Sequence, residues 1–487
     1  MARPLQLLAD QAFSRTAGAP LVGGNAVVLL KNGPENYPAW LAAIRSAERW
    51  IHFETYILED DTIGNIFADA LAERARAGVK VRLLVDWFGN LLKTRRAFWR
   101  KLRDAGVDAR SFNYPAIDSP LGWISRDHRK ALAIDGRVAF VSGLCVADEW
   151  TDNGREPQRD TGVRIEGPAV ADVEAAFAET WAMTGSPVPS DERPVAANIP
   201  AAGDVALRVI APMPTVAGVF KLDQLVAAVA RETLWVTDAY FVGVSTYISG
   251  LIAAAKDGVD VRLLVPGTVD VVGVSTMSRA GFRALLEGGV RIFEWNGVML
   301  HAKTAVADGR WARVGSTNAN INSWFGNWDL DVAIDNERFG HQMMEMFEHD
   351  LANATEVVLN ARHQPRLIER RARPRMAELR TRSRTTRRAA TAGAIRVSRT
   401  LGAALAARRE VGPAEAISLF WSSALFLLFG LLAVLAPRAV ALPIGVLALW
   451  MALAGLSRAW HLYREAAERE AAEKRPESSS SEPNPPA

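Results

Sequence analysis

HRKALAIDGRVAFVSG, residues 128–143, and HAKTAVADGRWARVGS, residues 301–316, are two copies of one pattern, His-x-Lys-x-x-x-x-Asp followed by Gly. Working outward from them, AGVKVRLLVDWFG at 77–89 answers DGVDVRLLVPGTV at 257–269. LRDAGVDARSFN at 102–113 answers LLEGGVRIFEWN at 285–296, in the same order and at similar separations. The chain is therefore an internal repeat. Each copy reads as helix, strand, helix, strand and then a pair of strands. The stretches 79–85 and 259–265 are mostly apolar and follow alanine-rich segments that end at Gly, as buried strands of an α/β sheet do. Two such units are of ordinary domain size, and a site shared between them would lie on a pseudo-two-fold axis.

The 487 residues carry a net charge of +3, but the charge is unevenly spread. Residues 1–360 hold 36 Lys plus Arg against 44 Asp plus Glu, whereas 361–487 hold 21 against 10. An acidic body with a basic, apolar tail points to a membrane surface more than to a nucleic-acid track. The single cysteine, Cys145, excludes an intramolecular disulfide and any multi-cysteine metal site. The apolar run near the N-terminus is broken at Gln6 and is too short for a signal-peptide core.

Between 362 and 409 there are 15 Arg and only two acids, Glu369 and Glu378. Two readings of this stretch stand side by side, a solvated basic linker and a segment lying on anionic lipid. Residues 416–436 and 439–456 then run without a charge for 21 and 18 positions, separated by Pro437-Arg438. A helix needs about 20 apolar residues to cross the hydrocarbon layer, so a transmembrane helical hairpin is expected. Arginines on both flanks would keep both of its ends cytoplasmic. The polar tail from 457 to 487 is expected to be largely disordered.

A His and a Lys two apart on an extended strand point to the same side. Two such strands supply two imidazoles and two ammonium groups to one cavity. That set suits a phosphodiester: Lys130 and Lys303 neutralise the non-bridging oxygens, one histidine attacks phosphorus, and the other protonates the leaving alkoxide. With seven His in the chain, chance would supply even one such pattern only roughly 0.01 times. Asp135 and Asp308 stand at Asp-Gly turns, where holding the turn is the expected role. His341 and His349 are expected to share a helix face rather than bind metal.

On these motifs the chain resembles the phospholipase D superfamily with its paired HKD motifs, and from about residue 25 to 359 its bacterial cardiolipin synthase-like branch. Phe53-Glu54-Thr55-Tyr56-Ile57, Thr237-Asp238-Ala239-Tyr240-Phe241-Val242 and RDTGVRIEGP at 159–168 support the likeness. The resemblance implies an α/β fold of two homologous phospholipase D-like α/β/α repeats with pseudo-two-fold symmetry, at 25–195 and 196–360. A 1–24 extension would precede them, and a 361–411 linker and the hairpin would follow. It also implies phosphatidyl transfer through a phosphohistidine on His128, with His301 as general acid and then base, and with no metal or other cofactor. Carboxylates about 25 to 32 residues beyond each histidine would orient the imidazoles, which singles out Asp160 and Asp329. Ser142, Ser316 and Asn318 would join the lysines at the phosphate.

The expected partners are phospholipids, phosphatidylglycerol and possibly phosphatidylethanolamine, and an anionic membrane surface, with no nucleic acid; the oligomeric state stays open. The expected location is the bacterial inner membrane, with the catalytic body on the cytoplasmic face. Against the family pattern, Cys145 stands where an Asn is usual, and Asn320, Asn322 and Asp329 replace the more common Asp, Arg and Glu. These changes bear on substrate choice. A hydrolytic phospholipase D, a nuclease of the same superfamily and a non-catalytic membrane scaffold remain alternatives. Leu121, Trp123 and Ile124, just before the first motif, are either core or a membrane-dipping lip.

Overall fold

Runs of β-branched and aliphatic residues become strands here because both of their faces are covered. In the first copy these are β1 (Val22–Lys31), β2 (Trp50–Thr55), β3 (Lys80–Asp86), β4 (Asp108–Phe112), β5 (Ala131–Ile134), β6 (Val138–Ser142) and β7 (Thr161–Glu166). The second has β8 (Val205–Ile210), β9 (Thr233–Thr237), β10 (Asp260–Pro266), β11 (Arg291–Trp295), β12 (Thr304–Ala307), β13 (Trp311–Gly315) and β14 (Asp331–Asp335), extended by β15 (Ala354–Leu359) and β16 (Pro365–Leu367). The computed structural model describes residues 2–114, 125–152, 156–214, 216–269, 274–360 and 365–367, with scattered positions between 427 and 460.

Among the described residues the strands form one sheet in the order β16-β15-β11-β10-β9-β12-β13-β14-β8-β1-β7-β6-β5-β2-β3-β4. Reading outward from the middle, β1-β7-β6-β5-β2-β3-β4 is matched strand for strand by β8-β14-β13-β12-β9-β10-β11. The halves meet where the equivalent strands β1 and β8 pair antiparallel, Val22 opposite Leu207 and Asn25 opposite Val205. In each half the parallel trio, β2-β3-β4 or β9-β10-β11, is made by helical crossovers, which parallel neighbours require. The sequence pattern predicts no strand ahead of the first helix of each copy, yet one is present in both. These are β1 and β8, and they form the seam.

The apolar core lies in three main layers. One joins both halves, with Val141, Val163 and Ile165 packed in the same cluster as Val209, Val314 and Val332. The other two back each half separately, against Thr62–Arg76 and its neighbours or against Ser245–Lys256 and its neighbours. Within residues 1–24, Ala2–Ala17 is a helix, Ala17 and Ala19 are buried on the second half, and the Asp10 carbonyl accepts from Arg208 at 3.2 Å.

The residues that end each motif sit in turns and bind backbone amides. Asp135 and Asp308 both adopt left-handed backbone, φ 56° and 50°, ahead of glycines at 67° and 60°. Asp135 accepts from the amides of Glu48, Arg49 and Trp50, each at 2.8 Å, and so ties the β5–β6 hairpin to the start of β2. Asp308 does the same to Arg231, Glu232 and Thr233. Asp135→Ala should cost roughly 3 kcal/mol, the worth of losing bonds to a charged acceptor, read as a lower urea midpoint. An unchanged midpoint would return Asp135 to the chemistry.

The scattered described positions between 427 and 460 belong to a compact unit of their own. The expected hairpin at 416–436 and 439–456 lies outside the described residues except at scattered positions, nearly all of them helical. Among the described residues no helix is long and apolar enough to cross a membrane. Leu427, Leu431, Val434, Leu435, Leu442, Val446, Leu449, Leu453 and Leu456 are exposed. The loop with Leu121, Trp123 and Ile124, most of the Arg-rich linker and the polar tail also fall outside.

Candidate active site

β5 and β12 each begin just after their motif lysine, so His128 and Lys130, and His301 and Lys303, enter from equivalent strand ends. The chain ahead of each motif pairs with the other half. Asp127 bridges in parallel to Trp328 and Leu300 to Arg159. The His128 amide donates to the Trp328 carbonyl at 2.8 Å, and the His301 amide to the Arg159 carbonyl at 2.7 Å.

This interlock crosses the side chains as well. His128 Nδ1 lies 2.8 Å from Asp329 Oδ1, and His301 Nδ1 lies 2.7 Å from Asp160 Oδ2. Each imidazole is thus oriented by the carboxylate of the other repeat. Spacing along the chain identifies both aspartates but not the exchange between them. A carboxylate on Nδ1 leaves Nε2 as the nitrogen free for chemistry and stabilises positive charge on the ring.

Burial dominates the electrostatics. It holds His128 down to about 4, helped by the Lys130 charge and opposed by Asp329. Burial and Lys303 likewise lower His301, and burial brings Lys303 down to about 8. Burial alone would raise Asp160, but its bond to His301 and the charges of His301 and Lys303 outweigh it and keep it low. Lys130 Nζ donates to the His128 carbonyl at 2.6 Å, and Lys303 Nζ sits 3.1 Å from His301 Nε2. Tyr56 meets the His128 ring edge-on at 5.1 Å and Tyr240 meets His301 at 5.9 Å, a matched pair of aromatic walls.

The two sides differ in detail. Ser316 donates to Asp329 at 2.7 Å and accepts from the Leu330 amide at 2.9 Å, so its hydroxyl is engaged in holding the carboxylate. Its counterpart is Gly143, where an added Cβ would stand 2.2 Å from Asp160 Oδ1. Ser142 accepts from the Leu144 amide at 3.2 Å. Asn318 is buried with its side-chain oxygen unpartnered among the described residues, while buried Cys145 holds the equivalent place in the first half. Asn320 caps Ile321–Phe325, accepting from Asn322 and Ser323 amides. His341 and His349 both lie on the helix Glu337–Ala352, and among the described residues no group of three or more His, Cys, Asp or Glu could hold a metal ion.

Sequence reasoning missed two buried arginines. Arg129 donates to the Asp329 carbonyl at 3.2 Å and to Ala176 and Ala211 carbonyls. Arg159 donates to the Asp160 carbonyl and grips Asp350 with bonds of 2.9 and 2.8 Å. Each fixes the backbone of one orienting aspartate. The signal was present in Arg129, a charge pointing opposite to His128 and Lys130 on an extended segment, where only a buried partner could accommodate it.

A family model described as "Cardiolipin synthase, PLD-like domain" matches residues 40–181 and 226–351, more than half of the chain. Cardiolipin synthase 2 of Bacillus anthracis is 31% identical over 351 residues, covering 70% of this chain and 67% of that protein. Cardiolipin synthase of Geobacillus kaustophilus is 33% identical over 364 residues, covering 73% and 71%. The crystal structure of phosphatidylserine synthase from Haemophilus influenzae superposes with a TM-score of 0.57 at 13% identity, over 71% of this chain and 91% of that one, a likeness of fold. With two crossed His–Asp pairs in a duplicated sheet, the chain belongs to the cardiolipin synthase branch of the phospholipase D superfamily and is a phosphatidyltransferase.

Proposed function

We propose that the chain transfers the phosphatidyl group of phosphatidylglycerol to the hydroxyl of a second phosphatidylglycerol, forming cardiolipin. The crossed orientation of two imidazoles, His301 buried and His128 largely so, by two buried carboxylates is the observation that carries this. His128 Nε2 attacks phosphorus, the P–O bond to glycerol breaks, and His301 gives its proton to the departing oxygen. His301 then takes a proton from the acceptor hydroxyl, whose oxygen attacks phosphorus and releases His128. Asp329 steadies the charge that develops on His128. Lys130 and Lys303 face the phosphoryl oxygens, and the bound phosphodiester's negative charge favours the protonated form of His301.

Membrane attachment belongs to the same reading, with the catalytic body at the cytoplasmic face of the bacterial inner membrane. The two uncharged runs, the exposed leucines between 427 and 456 and the flanking arginines support it.

Incubating purified protein with phosphatidylglycerol in detergent micelles tests the assignment. Cardiolipin with free glycerol is expected. Phosphatidic acid with glycerol would make the protein a hydrolase, and no lipid product would sink transfer altogether. The pH profile of kcat/KM gives a second check. With His128 at about 4, the nucleophile is neutral at physiological pH, and the acid limb should fall only as pH drops toward that value. An acid limb centred near neutrality would contradict the assignment of His128.

A further inference from the structure

The mechanism leaves unused a cluster of acids directly behind His128. Glu54 ends the polar face of β2, is fully buried, and accepts from Thr180 Oγ1 at 2.6 Å. Asp127, also fully buried, accepts from the Arg129 amide at 3.3 Å. The two carboxyl groups touch each other. Glu54 Oε2 and Asp127 Oδ2 are both buried with no donor among the described residues. Two buried acceptors in contact and without a donor are satisfied together by one proton between them, and two buried carboxylates in contact do not both ionise.

We propose that Glu54 and Asp127 share a single proton, and that this singly charged bridge, with Arg129 beside it, is the positioning device for His128. Asp127 is the residue before His128, and its backbone is the strand bridge to Trp328, next to Asp329. Holding the Asp127 side chain on β2 therefore fixes the main chain on which the His128–Asp329 pair is built. The second repeat lacks the device: by sheet register Thr237 stands in Glu54's place, and Leu300 stands in Asp127's. The bridge makes the two histidines inequivalent on the side read as nucleophilic.

The charges around it come from every neighbouring element. Arg129 is the nearest cation, and its guanidinium also meets Glu179 at 3.4 Å. Asp86 accepts from the Asp127 amide at 2.9 Å and is pushed by burial up to about 6, with Arg126 beside it. His52, two residues along β2, bonds Glu174 and lies 3.6 Å from Glu192, which Arg82 also grips. Burial, and for Asp127 the neighbouring acids, raise both members of the pair. A carboxyl raised in the folded state contributes stability at low pH that is lost as pH rises through its folded pKa. Rising pH should therefore remove the proton, drive the two carboxylates apart and displace His128.

The role rests on His128 as nucleophile; the shared proton does not. Infrared difference spectra of the full chain, unsubstituted minus Asp127→Asn, should show a protonated-carboxyl carbonyl band at neutral pH that disappears in alkali. Absence of the band overturns the shared proton. In the transfer assay Asp127→Asn, which donates the missing bond itself, should retain kcat within about threefold and lose only the share of the alkaline fall that the pair adds to those of His301 and Lys303. Asp127→Ala and Glu54→Ala should lower kcat about tenfold to 100-fold at unchanged KM, the scale of a misplaced reacting group. An asparagine variant as slow as the alanine variant overturns the positioning role. No turnover by the unsubstituted protein would count against His128 instead, and the infrared band would still decide the pair.

Discussion

Replacing His128 with alanine should abolish phosphatidyl transfer, lowering kcat by about 10⁴-fold or more, while the thermal unfolding profile stays cooperative. The histidine is a core partner of few groups: its ring meets Asp329 and Tyr56, and the strand pairing beneath it is made by its backbone. His301→Ala should be as damaging with phosphatidylglycerol, because the glycerol alkoxide cannot leave without a proton. The two variants separate on a lipid analogue with a nitrophenol leaving group, which needs no protonation. His301→Ala should then release nitrophenol in a burst and accumulate phosphohistidine, whereas His128→Ala should release none. A burst from His128→Ala would reverse the two roles.

The second large effect comes from the crossed carboxylates. Asp329→Asn and Asp160→Asn should each lower kcat by about 10³- to 10⁴-fold, the usual result when the amide permits the wrong imidazole tautomer. On the nitrophenol analogue they diverge. Asp329→Asn should remain slow, because it impairs His128, and Asp160→Asn should recover its burst, because it impairs only His301. Orientation of each histidine by the aspartate of its own repeat would produce the opposite pattern, so one pair of burst measurements decides the crossing.

Much of the architecture could be read from the chain. The duplicated motif gave two α/β units, and strand parity put His128 with Lys130 and His301 with Lys303. The turn role of Asp135 and Asp308 followed from Asp-Gly, and both now prove to bind three backbone amides each. What escaped was whatever depends on the second half being present. Spacing locates Asp160 and Asp329 along the chain, but which histidine each one meets is set by the bridges Asp127–Trp328 and Leu300–Arg159. β1 was missed because its Gly23-Gly24 start and mixed burial look like a loop until β7 and β8 cover its two edges. Glu54, Arg129 and Arg159 were missed as buried groups because charge in a sequence reads as surface. Only the partners, Thr180, Asp329 and Asp350, show how burial is tolerated.

The β1–β8 seam carries a consequence for how such a chain can come apart. A half molecule would present the whole edge of β1 or β8 to solvent and would hold one histidine without its carboxylate. It could regain both only by meeting a complementary half, at a rate set by how much of that half is in solution. The segment between β7 and β8 removes that dependence by holding the two at a high effective concentration. Cutting the chain there should leave activity that falls on dilution more steeply than that of the intact chain.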